Sequence, residues 1–150
     1  MYKKIFISIL LILFLSACNK QPEPVKLPSS AYSLTELREF ADFQNLEEKI
    51  KSNEAFVLFV YTKHCSACMS FEEVLREFIE ERKLTIFSIE NSVIPKDTWL
   101  DKEVGLVPTV LIIENKKTLA QLDPNKGEHK QYFETVTGFA SWFDRYILKE

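Results

Sequence analysis

The sequence predicts an α/β sandwich, a sheet covered by helices, and three observations predict it. Residues 55–61 (AFVLFVY) and 109–113 (TVLII) are continuous apolar runs rich in β-branched and aromatic residues, as expected of strands buried on both faces. Between them the pattern changes to a helical period. Phe71, Val74, Leu75, Phe78 and Ile79 form one stripe, and Glu72, Glu73, Arg76, Glu77 and Glu80 form the solvated face. Segments of the two kinds alternate along the chain, which is the order of a sheet with helices packed on it.

Composition narrows the class further. The 150 residues suffice for one domain of ordinary size, and 46% hydrophobic with 27% charged residues is a globular balance. The net charge is −3, with no basic block and no glycine-rich GxxxxGK loop. Nucleic-acid binding and P-loop nucleotide chemistry are thereby excluded as readings. Three cysteines are too few for a disulfide-stapled mini-domain or a four-thiolate zinc site.

The first seventeen residues read as an address. Lys3 and Lys4 precede an apolar stretch over 5–15, far short of the ~20 residues that span a bilayer. The stretch ends in Leu15-Ser16-Ala17-Cys18, which resembles the lipobox of bacterial lipoproteins. That resemblance implies cleavage before Cys18 and lipidation of its sulfur, with acyl chains that would hold the protein on a membrane. Residues 18–30 carry three of the six prolines and no apolar period, and are expected to form an extended tether. The folded domain is expected over 31–150.

Within it, Ser33-Leu34-Thr35-Glu36 has the form of a capping box, so 33–41 is either a helix or a short first strand. Residues 42–52 read as a helix with Phe43, Leu46 and Ile50 inward, and 55–61 as the first buried strand. A helix follows from Cys65 to about Arg82, then a strand over 84–90, then a short helix over 95–103 with Pro95 in its first turn. After the 109–113 strand, further strand material is expected at 119–122 and 131–136, with a turn at 123–127 between them. Gly138 is expected to punctuate the start of a last amphipathic helix carrying Phe139, Trp142, Phe143, Tyr146 and Ile147.

The chemistry lies in Cys65-Ser66-Ala67-Cys68, where the buried strand feeds the long helix. A cysteine at a helix N-terminus meets unpaired N–H groups and the positive end of the dipole, which favour the thiolate. Lys63 and a protonated His64 would act in the same direction. Cys68 lies one turn along, within reach of the first sulfur. Haem attachment would require a histidine where Met69 stands, and zinc would require ligands the chain lacks beyond His64 and His129. A copper(I) site built from Cys65, Cys68 and His64 stays open, as does a structural disulfide. Redox dithiol chemistry is the leading reading.

Thirty-nine residues beyond Cys68, Val107-Pro108-Thr109 opens directly into an apolar strand. The CxxC at a strand–helix junction together with this Val-Pro-Thr resembles the thioredoxin superfamily over about 120 residues. The resemblance implies a thioredoxin-like three-layer sandwich with a mixed central sheet flanked by helices. It implies Cys65 as nucleophile, Cys68 as resolving thiol, a cis-proline at Pro108, and a Val107 backbone that pairs with substrate. It calls for no metal or organic cofactor. Three departures mark this chain: His64 precedes the first cysteine and Ser66-Ala67 separates the pair, where thioredoxin has Trp and Gly-Pro. Phe59 stands where thioredoxin has a buried acid. Residues 115–132 exceed a tight hairpin, so an insertion is expected there.

Together these readings lead to a lipid-anchored thiol–disulfide oxidoreductase of the bacterial cell envelope, its domain outside the cytoplasm. Its expected partners are cysteine-containing exported proteins, a membrane redox protein and, through Cys18, the membrane itself, with no nucleic acid. The alternative is a non-catalytic binding module, a copper(I) carrier or an accessory of an export or assembly machine.

Overall fold

The computed structural model describes residues 21–148, so the expected signal peptide (with Lys3 and Lys4) and the expected lipidation site Cys18 lie outside the described residues. Five strands form one sheet in the order β1–β3–β2–β4–β5: β1 (Glu36–Glu39), β2 (Phe56–Tyr61), β3 (Thr85–Glu90), β4 (Thr109–Glu114) and β5 (Lys117–Leu122). The β1–β3 and β3–β2 pairs are parallel, whereas β2–β4 and β4–β5 are antiparallel, so the sheet is mixed. Leu58 at its centre is paired to Phe87 on one side and Leu111 on the other.

Alternation along β2 explains why its sequence is apolar throughout. Val57 and Phe59 face a core formed with α2 (Ser66–Arg82) and α4 (Val136–Phe143), among Phe71, Phe78, Phe139 and Trp142. Phe56, Leu58 and Val60 face the opposite core, where Leu46 of α1 (Phe43–Lys51) and Leu100 of α3 (Trp99–Glu103) are buried. A strand with helices on both faces has no wet side, so the period of two leaves no polar positions. The three layers and mixed sheet match the expected architecture.

Residues 33–41 resolve to strand. Backbone pairing of β1 with β3, reinforced by the Thr85 hydroxyl donating to the Leu34 carbonyl at 2.9 Å, outweighs the capping-box pattern. The Ser33 hydroxyl instead donates to the Ser30 carbonyl at 2.7 Å. The expected short helix at 95–103 is shorter, starting at Trp99 with Thr98 as its cap.

The stretch 131–136 is not a strand. Gly127–Tyr132 forms a 3₁₀ helix, and α4 begins at Val136 behind the Thr135 cap. Tyr132 is buried beneath this segment, so the alternation read as a strand reflects one buried aromatic in a helical turn. Gly138 lies inside the first turn of α4 rather than ahead of it. A Cβ there would collide with the Gln131 carbonyl oxygen, so the glycine is needed for the close approach of the two segments. The β4–β5 connection is itself tight: Asn115 and Lys116, both at positive φ, make a two-residue turn between the Glu114–Lys117 pair. The additional chain lies after β5, in residues 123–135, rather than in the hairpin.

The docked chain also starts earlier than residue 31. Val25 makes a parallel bridge with Ile147, its N–H donating to the Tyr146 carbonyl and its carbonyl accepting from Leu148 N–H, both at 2.8 Å. Leu27 is only 5% exposed and joins the core under α4. Among the described residues no helix is long and apolar enough to cross a membrane.

Candidate active site

Strand β2 ends at Tyr61, and a turn closed by the Cys65 N–H donating to the Thr62 carbonyl at 3.2 Å brings the chain into α2. Cys65 is the N-cap of that helix, in an extended backbone conformation, and its sulfur accepts a hydrogen bond from the Cys68 N–H at 3.1 Å. The two cysteines are joined as a disulfide with their Cα atoms 5.1 Å apart. Cys65 is partly exposed, while Cys68 is 2% exposed and packed in the core. Solvent therefore reaches Cys65 and is almost wholly kept from Cys68.

The antiparallel β2–β4 ladder, with Val60 opposite Thr109, carries residues 106–108 to the same edge of the sheet. The Val107–Pro108 peptide bond is cis, the isomer implied by the resemblance. The Val107 carbonyl oxygen lies 3.9 Å from the Cys65 sulfur. This loop is pinned from beneath: the Thr109 hydroxyl, fully buried, donates to the Leu106 carbonyl at 2.6 Å. Cys65, Cys68, Val107 and Pro108 are thus brought together at one end of the sheet, Cys65 and Val107 partly exposed and Cys68 and Pro108 buried.

Lys63 does not join them. Its ammonium is paired with Glu90 at 2.9 Å, and the two hold each other in their charged forms. The hydrogen bond from Lys63 keeps the Glu90 carboxyl below the usual carboxylate range, and the same bond raises the Lys63 ammonium. His64 is exposed in the turn. The positive charge expected beside Cys65 is thus partly spent on a carboxylate at the end of β3.

The sequence offered no signal for a second feature of this edge. The Tyr61 hydroxyl donates to Glu39 Oε1 at 2.5 Å, across β3, between residues that meet only in the sheet. Burial pushes the phenol up, and the hydrogen bond to Glu39, with the nearby Glu90 and Glu72 carboxylates, pushes it further. The Tyr61 ring stacks on Phe59 at 5.5 Å. Among the described residues no group of three or more histidine, cysteine or acidic side chains is arranged to hold a metal ion.

A mixed five-stranded sheet with a CxxC disulfide at a helix head and a cis-proline beside it defines a thioredoxin-fold protein. The structure is similar to thioredoxin from Schistosoma mansoni, with 14% identity and a TM-score of 0.58 over 75% of this chain and 97% of that one. It is also similar to Fasciola hepatica thioredoxin (16% identity, TM-score 0.55, 73% and 99% covered) and to a variant thioredoxin from Halobacterium salinarum (15%, 0.56, 79% and 96%). No family model and no curated protein matches the sequence. The likeness is one of fold.

Proposed function

We propose that the protein is a thiol–disulfide oxidoreductase whose redox pair is Cys65–Cys68. The observation that carries this reading is the asymmetry of the pair: an accessible sulfur at the helix N-cap, beside the Val107 carbonyl, linked to a buried one. A thiolate at Cys65 would accept the Cys68 N–H and face the positive end of the α2 dipole, which stabilise it for attack.

In the reducing direction the Cys65 thiolate attacks one sulfur of a substrate disulfide. A Cys65–substrate bond forms as the substrate S–S bond breaks, and the departing sulfur takes up a proton. The Cys68 thiolate then attacks the Cys65 sulfur, re-forming the internal disulfide and releasing the second substrate sulfur, which is protonated in turn. Two electrons pass from the pair to the substrate. The oxidising direction is the same sequence reversed, with a substrate thiolate attacking Cys65. Val107, with its carbonyl at the disulfide, would pair with an extended substrate backbone.

The N-terminal pattern supports a place in the bacterial envelope, anchored through Cys18, with cysteine-containing exported proteins as substrates and a membrane redox protein that resets the pair. The full chain, titrated against glutathione at pH 7 and read by thiol alkylation, tests the reading. Reversible two-thiol behaviour is expected. A midpoint near about −270 mV would assign it as a reductant, and one near about −120 to −180 mV as an oxidant or isomerase. A pair that cannot be reduced and re-oxidised overturns the catalytic reading.

A further inference from the structure

We propose that the end of the domain opposite the disulfide is a membrane-facing surface, resting on the headgroups of anionic phospholipid so that Cys65 points away from the bilayer. The inference rests on the proposed envelope anchor at Cys18. It deepens that reading by assigning which face meets lipid and from which side partners reach the redox pair.

The far end of the fold is defined by its elements. Strand β2 runs toward Cys65, so its first residue, Phe56, lies farthest from the disulfide. Phe56 is paired with Ile113, just ahead of the Asn115–Lys116 turn, which places that turn at the same end. Helix α2 leaves Cys65, and at ~1.5 Å per residue its 17 residues finish roughly 25 Å away at Arg82. There the Arg82 guanidinium pairs with Asp144 at 3.0 Å, which brings the residues after α4 to this end as well.

The N-terminal segment enters the fold here. Val25 bridges to Ile147 beyond α4, and the Gln21 carboxamide donates to the Arg145 carbonyl at 3.4 Å. Pro22 lines a hollow with Glu114, Asn115, Lys117 and Thr118 of the β4–β5 hairpin. Cys18 precedes Gln21 by three residues, a reach of about 10 Å at full extension. A tether free as far as residue 30 would let the domain turn any face to the membrane. One held from residue 21 brings this end close to the lipid and leaves the disulfide outermost.

The charges suit that arrangement. Segments 49–54, 80–83, 114–117 and 144–145 carry seven basic and five acidic side chains, in a chain whose net charge is −3. Lys51, Lys83, Lys116 and Lys117 are exposed there, and two of the acids, Glu54 and Glu80, are already paired with Lys49 and Lys83 at 2.9 and 3.2 Å. At the other end the Glu39, Glu72 and Glu90 carboxylates gather around Tyr61. An anionic surface therefore attracts one end and repels the other, over a screening length of ~8 Å at physiological salt that the short tether does not greatly exceed. Partners then meet Cys65 from the aqueous side, with their cysteines in domains that stand clear of the bilayer.

The test uses the full chain made as a lipoprotein, with acylation of Cys18 read by mass. It is reconstituted into vesicles of phosphatidylglycerol with phosphatidylcholine, and into vesicles of phosphatidylcholine alone, and amide hydrogen exchange is followed on both. On the anionic vesicles exchange at 52–54 and 115–117 is expected to slow by about fivefold or more, with 63–66 and 106–107 staying within about twofold. The Lys51→Glu, Lys117→Glu double variant, altered only at exposed positions, should lose that slowing while β2 keeps its protection. Slowing at 63–66, slowing at neither end, or slowing that survives the double variant overturns the inference and leaves the anchor standing. A chain whose Cys18 is not acylated overturns the anchor reading itself, and this inference with it.

Discussion

The backbone N–H of Cys68 points at the sulfur of Cys65 across 3.1 Å, so the residue that caps helix α2 is also the accessible end of the disulfide. Among the described residues the other three α-helices are capped by oxygen, from Asp42, Thr98 and Thr135. At α2, alone among these helices, a sulfur takes that place, and the N–H that would otherwise serve stability is directed at the atom proposed to react.

Replacing Cys65 by serine is therefore expected to separate structure from chemistry. A serine oxygen caps as well as or better than sulfur, so the stability of the reduced Cys65→Ser protein should stay within ~1 kcal/mol of the reduced parent. Turnover of disulfides should fall to the uncatalysed level. Cys68→Ala should instead accumulate mixed disulfides through Cys65, visible as thiol-sensitive adducts on non-reducing gels. Equal residual turnover in both variants would contradict the assignment.

Gly138→Ala is expected to destabilise, although alanine is better than glycine by ~1 kcal/mol in a helix interior. The added Cβ meets the Gln131 carbonyl, and separating the 3₁₀ segment from α4 should cost about 1–3 kcal/mol net. Urea denaturation of the two proteins checks the sign. A gain in stability would show that the two segments can move apart freely.

Leu27 tests whether the N-terminal segment belongs to the fold. Its side chain is buried against the core that holds Ile147, so Leu27→Ala should cost about 2 kcal/mol, the low end for such a truncation because the site is peripheral. Shortening the chain to begin at residue 29 should cost more, since the Val25 hydrogen bonds are lost as well. Denaturation midpoints measured on both, with an unchanged slope, would show this.

His129 makes the 123–135 segment sensitive to acid. Burial, reinforced by the Lys126 charge, holds the imidazole below its ordinary value of 6.5, and its Nδ1 must be unprotonated to accept the Asp123 N–H. Above 6.5 both folded and unfolded states are neutral at this residue. As pH falls below it, the unfolded chain binds the proton first, so stability declines until the folded value is passed. His129→Gln should flatten that part of the stability–pH curve, measured by urea titrations between pH 7 and 5. A slope that survives the substitution would place the sensitivity elsewhere.

Much of the site was legible because its signals are local. Cys65 and Cys68 are one helical turn apart, so their spacing already sets their geometry, and the doubly buried strand β2 shows in its unbroken apolar run. The features that escaped depend on distant partners. Whether 33–41 became strand or helix turned on pairing with β3, and the Gly127–Tyr132 segment hid behind an alternation with one buried aromatic. Lys63 looked available to Cys65 in sequence because its neighbour in space, Glu90, lies 27 positions away.

By itself the sequence determined the α/β class, the position of the CxxC at a strand–helix junction and the proline that faces it, because periodicity and short spacings are written into neighbouring residues. Only the tertiary structure decided which sulfur is exposed, that Lys63 serves Glu90, that Val25 and Leu27 join the domain, and that residues 127–132 form a 3₁₀ helix packed closely on Gly138. Those outcomes come from contacts between segments far apart in the chain. Burial and backbone pairing, which act in space, choose among local patterns that are each compatible with the sequence.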